Sequence, residues 1–144
     1  MNKVKRLLKV KGDAVWSVPA TATALDAVRL MADKKIGAVL VVDDGKLAGI
    51  FTERDFAYKI GCFEKAPHEI KVLDVMTPNP ITITPGHSVN DCMALMTENH
   101  IRHLPVMDDD RLVGVISIGD VVKDLIEELQ FMVEQMEKYI MGLR

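Results

Sequence analysis

The sequence predicts an α/β (α+β) protein of two small subdomains, each ordered strand-helix-strand-strand-helix and related by pseudo-two-fold symmetry, with a long helix at the carboxy end. Three observations predict it. Residues 23–55 align without a gap on residues 88–120, an offset of 65, and ten of the 33 aligned positions are identical. Within each copy, segments with apolar residues at helical spacing alternate with short continuous apolar runs of strand length. Beyond Asp120 the pattern changes to a sustained 3-4 apolar spacing that neither copy contains. Two copies are too few for a solenoid, so two units that cover each other's apolar faces explain the duplication.

The first copy opens with a short strand at 15–18, ended by Pro19. Thr23 caps a helix reaching Lys34, with Leu25, Val28, Met31 and Ala32 on its apolar side. The run at 38–42 and the segment 46–51 make a hairpin around Asp43-Asp44-Gly45, followed by a helix over 53–60. The stretch 61–80 carries Pro67, Pro78 and Pro80 and reads as the linker. The second copy repeats the plan: a strand at 81–83, then a helix at 88–98 with Val89, Met93 and Met96 inward. Its hairpin joins 103–107 to 111–116 around Asp108-Asp109-Asp110. From Val122, the residues Leu125, Leu129, Met132, Met136, Tyr139 and Leu143 follow at spacings of 3 and 4 in turn. This heptad seam predicts a helix of ~24 residues, ~36 Å long, that outruns so small a subdomain. It either folds back on its own core or meets a second copy, and the dimer contact is the reading adopted.

Composition narrows the function. The chain has 144 residues, 49% of them apolar, and a formal charge of −3. That excludes a disordered chain and gives no electrostatic case for nucleic acid or an anionic membrane surface, although Lys3, Lys5, Arg6, Lys9 and Lys11 make the start basic. Cys62 and Cys92 supply neither a disulfide framework nor zinc-ligand spacing and are expected as reduced thiols. No apolar run approaches the ~20 residues of a membrane span, and no signal peptide is recognisable. The expectation is a cytoplasmic protein.

One motif recurs at the repeat offset: Gly, a hydrophobic residue, any residue, Thr or Ser, two of any kind, then Asp. It reads Gly49-Ile50-Phe51-Thr52-Glu53-Arg54-Asp55 and Gly114-Val115-Ile116-Ser117-Ile118-Gly119-Asp120. Thr52 and Ser117 fall where a strand gives way to a helix, so each hydroxyl can cap the helix and the free amides beside it can receive a phosphate. Asp55 and Asp120, one turn in, can accept hydrogen bonds from two vicinal ribose hydroxyls. The same spacing also makes a capping box that satisfies the helix start with no ligand. The residues alone leave both roles open.

The paired motifs resemble the tandem CBS-domain (cystathionine β-synthase domain) module over residues 8–130. The resemblance implies CBS domain 1 at 8–62, a linker at 63–80, CBS domain 2 at 73–130, and a terminal helix at 118–143. It further implies a stand-alone, Bateman-type regulatory module that binds adenine nucleotides in clefts between the domains. AMP is the favoured ligand, with NAD, ATP or ADP next; an S-adenosylmethionine sensor or a pure dimerisation scaffold are the alternatives, and a nucleic-acid binder, on the basic amino-terminal stretch, is the least favoured. Implied ribose and phosphate contacts are Thr52, Asp55, Ser117 and Asp120. Ser17 and Val18, with Thr82 and Ile83, would hold the adenine edge through backbone groups.

The hairpin starts differ between copies. Arg102, His103, Leu104 and Pro105 line the second, where Ala38 and Gly37 stand in the first. Arg102 and His103 are expected to join Ser117 and Asp120 in one occupied cleft. A lone histidine can equally be a simple core or surface residue. Pro105, lacking an N–H, frees a strand neighbour or marks an edge. Arg54, whose counterpart is Gly119, is placed to meet a phosphate in a bidentate way. Trp16 is expected in the core. Catalysis is not expected, because neither GxGxxG nor a Walker-type loop occurs and a catalytic barrel needs ~250 residues. The expected partners are a second copy of the chain and an unidentified target protein.

Overall fold

The computed structural model describes residues 2–12 and 14–142. The first copy comprises β1 (Ser17–Pro19), α2 (Ala24–Lys34), β2 (Ala38–Asp43), β3 (Lys46–Thr52) and α3 (Glu53–Lys59), preceded by α1 (Val4–Lys11). After 3-10 turns at Ile60–Cys62 and Pro67–Glu69 come α4 (Val72–Val75) and β4 (Thr77–Pro78). The second copy comprises α5 (Val89–Asn99), β5 (His103–Asp108), β6 (Arg111–Ser117) and α6 (Ile118–Met141). β1 pairs parallel to β2, and β2, β3 and β4 follow antiparallel. β5 and β6 form the second hairpin, and both hairpins carry a bulge at the matched places Val41/Val42 and Val106/Met107.

Local chemistry explains these bounds. Thr23, Thr52, Ser88 and Ser117 each cap a helix, and each closes a full capping box with the aspartate three residues on. The α2 and α5 helices end at Lys35 and His100, both left-handed, with φ of 56° and 53°. In the first hairpin Asp44 and Gly45 both take positive φ, the geometry that matches the twist of the strands.

Three sequence expectations need correction. The first strand is shifted, running Ser17–Pro19, and Pro19 pairs with Val42 inside it. The strand expected at 81–83 shrinks to a single parallel bridge between Ile83 and Val106. Pro105 is the cause. In the first copy the Leu40 amide donates to the Trp16 carbonyl at 3.1 Å, and the counterparts of these residues are Pro105 and Ile81. Without an N–H, Pro105 cannot extend the ladder. Trp16, expected in the core, is exposed, and the Lys34 ammonium lies 4.3 Å from its ring centroid.

The segment read as a linker is structured, and it is exchanged. α4, which precedes the second copy, buries Val72 and Val75 with Ile70 in the first core, against Met31, Val41 and Phe51. α1, which precedes the first copy, buries Val4 and Leu7 in the second core, against Ile83, Leu104 and Ile116. The matched hydrogen bonds confirm the equivalence. Val72 N donates to Ala22 O at 3.0 Å and Val4 N to His87 O at 2.9 Å, and the two acceptors lie one repeat apart. Each half is therefore completed by the segment that leads into the other.

α6 begins at Ile118 and lays Val121 and Leu125 on the second core. Past its first turns it leaves the body of the protein, and Leu129, Met132, Met136 and Tyr139 of the seam are exposed, with Phe131, Val133 and Ile140 beside them. The helix does not fold back. Leu143, the last residue of the seam, lies outside the described residues.

Candidate functional site

Where the two halves meet, a cavity of about 480 Å³ opens, within the ~300–1,000 Å³ range of small-molecule sites. Its first wall is the first motif, with Thr52, Glu53, Arg54 and Asp55, joined by Gly37, Ile50 and Thr77. The second wall comes from the other copy: Ile81, Asn99, His100, Ile101, Arg102 and His103.

Asp55 is the most constrained of these residues, at 7% exposed. Its carboxylate accepts the Thr52 amide at 3.0 Å, the Thr52 hydroxyl at 3.2 Å and the Thr77 hydroxyl at 3.1 Å. Lys59, one helical turn on, pairs with it at 3.1 Å. Thr77 arrives on β4, whose pairing of Thr77 with Ile50 requires a close approach to β3. Gly49 permits that approach, because a Cβ there would lie 2.6 Å from the Met76 sulfur and 2.7 Å from the Thr77 carbonyl oxygen. Capping and ligand contact are thus not exclusive: Asp55 completes the helix start and still lines the cavity.

Arg54 crosses the cleft and donates from Nη1 to the His100 carbonyl, which the left-handed end of α5 leaves uncovered. Gly37 lets the far side close in; a Cβ there would meet the Glu53 carboxylate and sit 3.4 Å from the His103 ring. Burial holds the His103 imidazole below its ordinary value of 6.5, and Lys11 pushes the same way while Glu53 and Asp120 pull it back. His103 is therefore neutral at pH 7. Arg54 and Arg102 face the cavity against the carboxylates of Glu53 and Asp55, and Lys59, paired with Asp55, leaves one positive charge over.

The expected grouping of site residues is only partly realised. Thr52, Arg54, Asp55, Arg102 and His103 come together, but Arg102 and His103 share the cavity with Asp55 and not with Ser117 and Asp120. Val18, Ile83 and Leu104 are core residues. Pro105 is buried within β5, while Ser17 and Thr82 are exposed and, with Ala38, lie off the cavity lining. Pro80 and Ile81, just before Thr82, line it instead. Thr77, Lys59, Glu53 and the α5 end at Asn99 and His100 were not anticipated. Lys59 stands four residues after the motif aspartate, a spacing that alone signals an ion pair; nothing local marks Thr77.

The second motif is arranged differently. Asp120 accepts the Ser117 amide at 2.8 Å, and Lys11, from the last turn of α1, reaches Asp120 at 2.7 Å and the Val115 carbonyl at 2.8 Å. Burial works to raise the Asp120 carboxyl, but the Lys11 and Ser117 hydrogen bonds outweigh it and hold the group below the usual carboxylate range.

The CBS-domain family matches residues 10–61 and 72–127, and the chain belongs to it. It is 39% identical over 148 residues to the mitochondrial CBS domain-containing protein CBSX3 of Arabidopsis thaliana, spanning 96% of this chain and 72% of that one. A signal-transduction-type protein with CBS domains from Burkholderia ambifaria superposes with a TM-score of 0.84 at 43% identity, over 88% of this chain and 95% of that one. The CBS domain protein PAE2072 of Pyrobaculum aerophilum, solved complexed with AMP, has the same fold, with a TM-score of 0.72 at 23% identity over 82% of this chain and 88% of that one. The chain is a CBS-domain protein of signal-transduction type. No helix among the described residues is long and apolar enough to cross a membrane.

Proposed function

We propose that this protein is a non-catalytic sensor of adenine nucleotides, AMP above all, and that the ligand sits in the cavity between Asp55 and His103. The observation that carries the reading is the make-up of that cavity. One wall offers a carboxylate and hydroxyls at the first motif, suited to ribose, and the other offers Arg102 with Arg54 between the walls, suited to a phosphate. A ligand that touches both halves favours whichever relative arrangement fits it best, which is how binding becomes a signal. That a protein of the same fold holds AMP supports the choice. NAD, ATP and ADP are the runners-up.

A second copy of the chain belongs to this reading. The apolar residues of α6 beyond Leu125 stand in water in the single chain, and a two-fold partner buries them symmetrically. We place the sensor in the cytoplasm, acting on a separate target protein. The test is thermal unfolding with millimolar AMP, ADP, ATP, NAD and S-adenosylmethionine in turn. AMP is expected to raise Tm most, by mass action on the folded state. No shift with any of the five contradicts the reading, and a shift with S-adenosylmethionine alone replaces it by the sensor of that ligand.

A further inference from the structure

The base of a bound nucleotide has no reader among the residues expected for it. Val18 and Ile83 lie in the cores, and Ser17 and Thr82 lie off the cavity. Arg54 and Arg102 carry charge for a phosphate, and Thr52, Asp55 and Thr77 surround the place of a ribose. Ile50, Pro80 and Ile81 supply apolar surface on which a base can lie. Asn79, which also lines the cavity, directly precedes that apolar pair. It follows Thr77 by two residues, at most about 7 Å of chain, which is the scale of the step from a ribose diol to its base.

Two features distinguish Asn79. Its backbone has a φ of 47°, in the left-handed region, directly before Pro80. A proline holds the residue before it in extended backbone, so this turn runs against the local preference. The other described non-glycine residues of positive φ have local tasks: Lys35 and His100 end α2 and α5, and Asp44 and Asp109 turn the two hairpins. Asn79 instead redirects the chain from β4 along the cavity wall. Its amide is also uncommitted. Thr77 gives its hydroxyl to Asp55, Arg54 bonds the His100 carbonyl, and Asn99 donates to the Leu95 carbonyl at 2.9 Å. The Asn79 amide has no hydrogen-bond partner among the described residues. Pro78 and Pro80 fix φ on either side, so the amide is carried on a stiff turn. Its counterpart in the other copy is Ala14, which has no amide.

Resting on the nucleotide reading, we propose that Asn79 selects the base, its carbonyl accepting from the adenine N6 amino group while its NH2 donates to N7. An amide presents an acceptor and a donor side by side, and this edge of adenine presents their complement. Guanine offers two acceptors there, O6 and N7, so the amide oxygen faces another oxygen or one pairing goes unmade. No other uncommitted group on the lining matches this edge. Arg102 only donates, ionised Glu53 only accepts, and the two nitrogens of the His100 and His103 rings diverge.

The experiment is calorimetric titration of the full chain with AMP, GMP and 7-deaza-AMP, for wild type, Asn79→Gly and Asn79→Asp. Glycine accepts the left-handed backbone and removes the amide, while aspartate keeps its shape and removes the donor. Wild type is expected to bind AMP roughly 10- to 100-fold more tightly than GMP or 7-deaza-AMP, the discrimination of a bidentate amide. Asn79→Gly is expected to bind all three about equally. Asn79→Asp is expected to lose its preference for AMP over 7-deaza-AMP, and it carries the test if the glycine variant fails to fold. A preference that survives in the variants, or a loss shared equally by the three nucleotides, overturns the proposal and leaves the nucleotide reading standing. Equal binding of AMP and 7-deaza-AMP by wild type overturns it too. Absence of binding by wild type overturns the nucleotide reading and the base assignment with it.

Discussion

Replacing Asp55 by alanine separates the two motifs most sharply. In the structure Asp55 closes the capping box of α3, worth about 1 kcal/mol. It also receives the Thr77 hydroxyl, and a hydrogen bond to a charged group contributes about 1.5 kcal/mol at the low end, suited to a threonine that water can reach. The half-exposed Lys59 adds about 0.5 kcal/mol after screening. Asp55→Ala is therefore expected to cost about 3 kcal/mol. Asp120→Ala loses a comparable cap and an ion pair to a Lys11 that is itself over a third exposed, for about 1.5 kcal/mol. The difference corresponds to about 3–6 °C in Tm for a chain of this size. Urea unfolding gives the stabilities and calorimetry with AMP gives the binding. Asp55→Ala should be the less stable variant and should lose AMP, while Asp120→Ala should bind with wild-type affinity. Equal stabilities refute the packing argument; loss of AMP in Asp120→Ala with retention in Asp55→Ala refutes the placement of the site.

Two further outcomes follow from the site. His103 has a folded pKa below its unfolded value of 6.5, so the folded state resists its protonation. Its contribution is fully present above 6.5 and is lost as the pH falls through the folded value; wild type should lose stability over that window relative to His103→Gln, and parallel pH profiles contradict the burial. Gly49→Ala forces a Cβ to within 2.7 Å of the Thr77 carbonyl oxygen, a backbone atom with little room to give. A loss of about 1–3 kcal/mol, as overpacking causes, together with weaker AMP binding, is expected by urea unfolding and calorimetry, whereas a neutral result denies that β4 is docked against Gly49.

Much of the architecture was legible because it is local. The capping boxes at Thr23, Thr52, Ser88 and Ser117, the Asp44-Gly45 turn and the apolar hairpin runs each announce themselves within a few residues. Pro105 even carried the clue to the weakened strand at Ile83, since a residue without an N–H cannot extend a ladder. The exchange of α1 and α4 between the halves was not legible, because it depends on which distant core each short apolar segment meets. The site inherits that limit. Thr77 and Lys11 reach the two motif aspartates only through the exchange, and the pairing of Arg102 and His103 with Asp55 is a property of how the halves abut. Trp16 failed for another reason: its ring is satisfied by Lys34 at the surface, so its apolar area did not have to be buried.

A crystal structure of the full chain grown with AMP tests the central claim most directly. A nucleotide in the Asp55 cavity is predicted, its ribose on Asp55 and Thr52 and its phosphate between Arg54 and Arg102. A nucleotide seated on Ser117 and Asp120, with the Asp55 cavity empty, would contradict it.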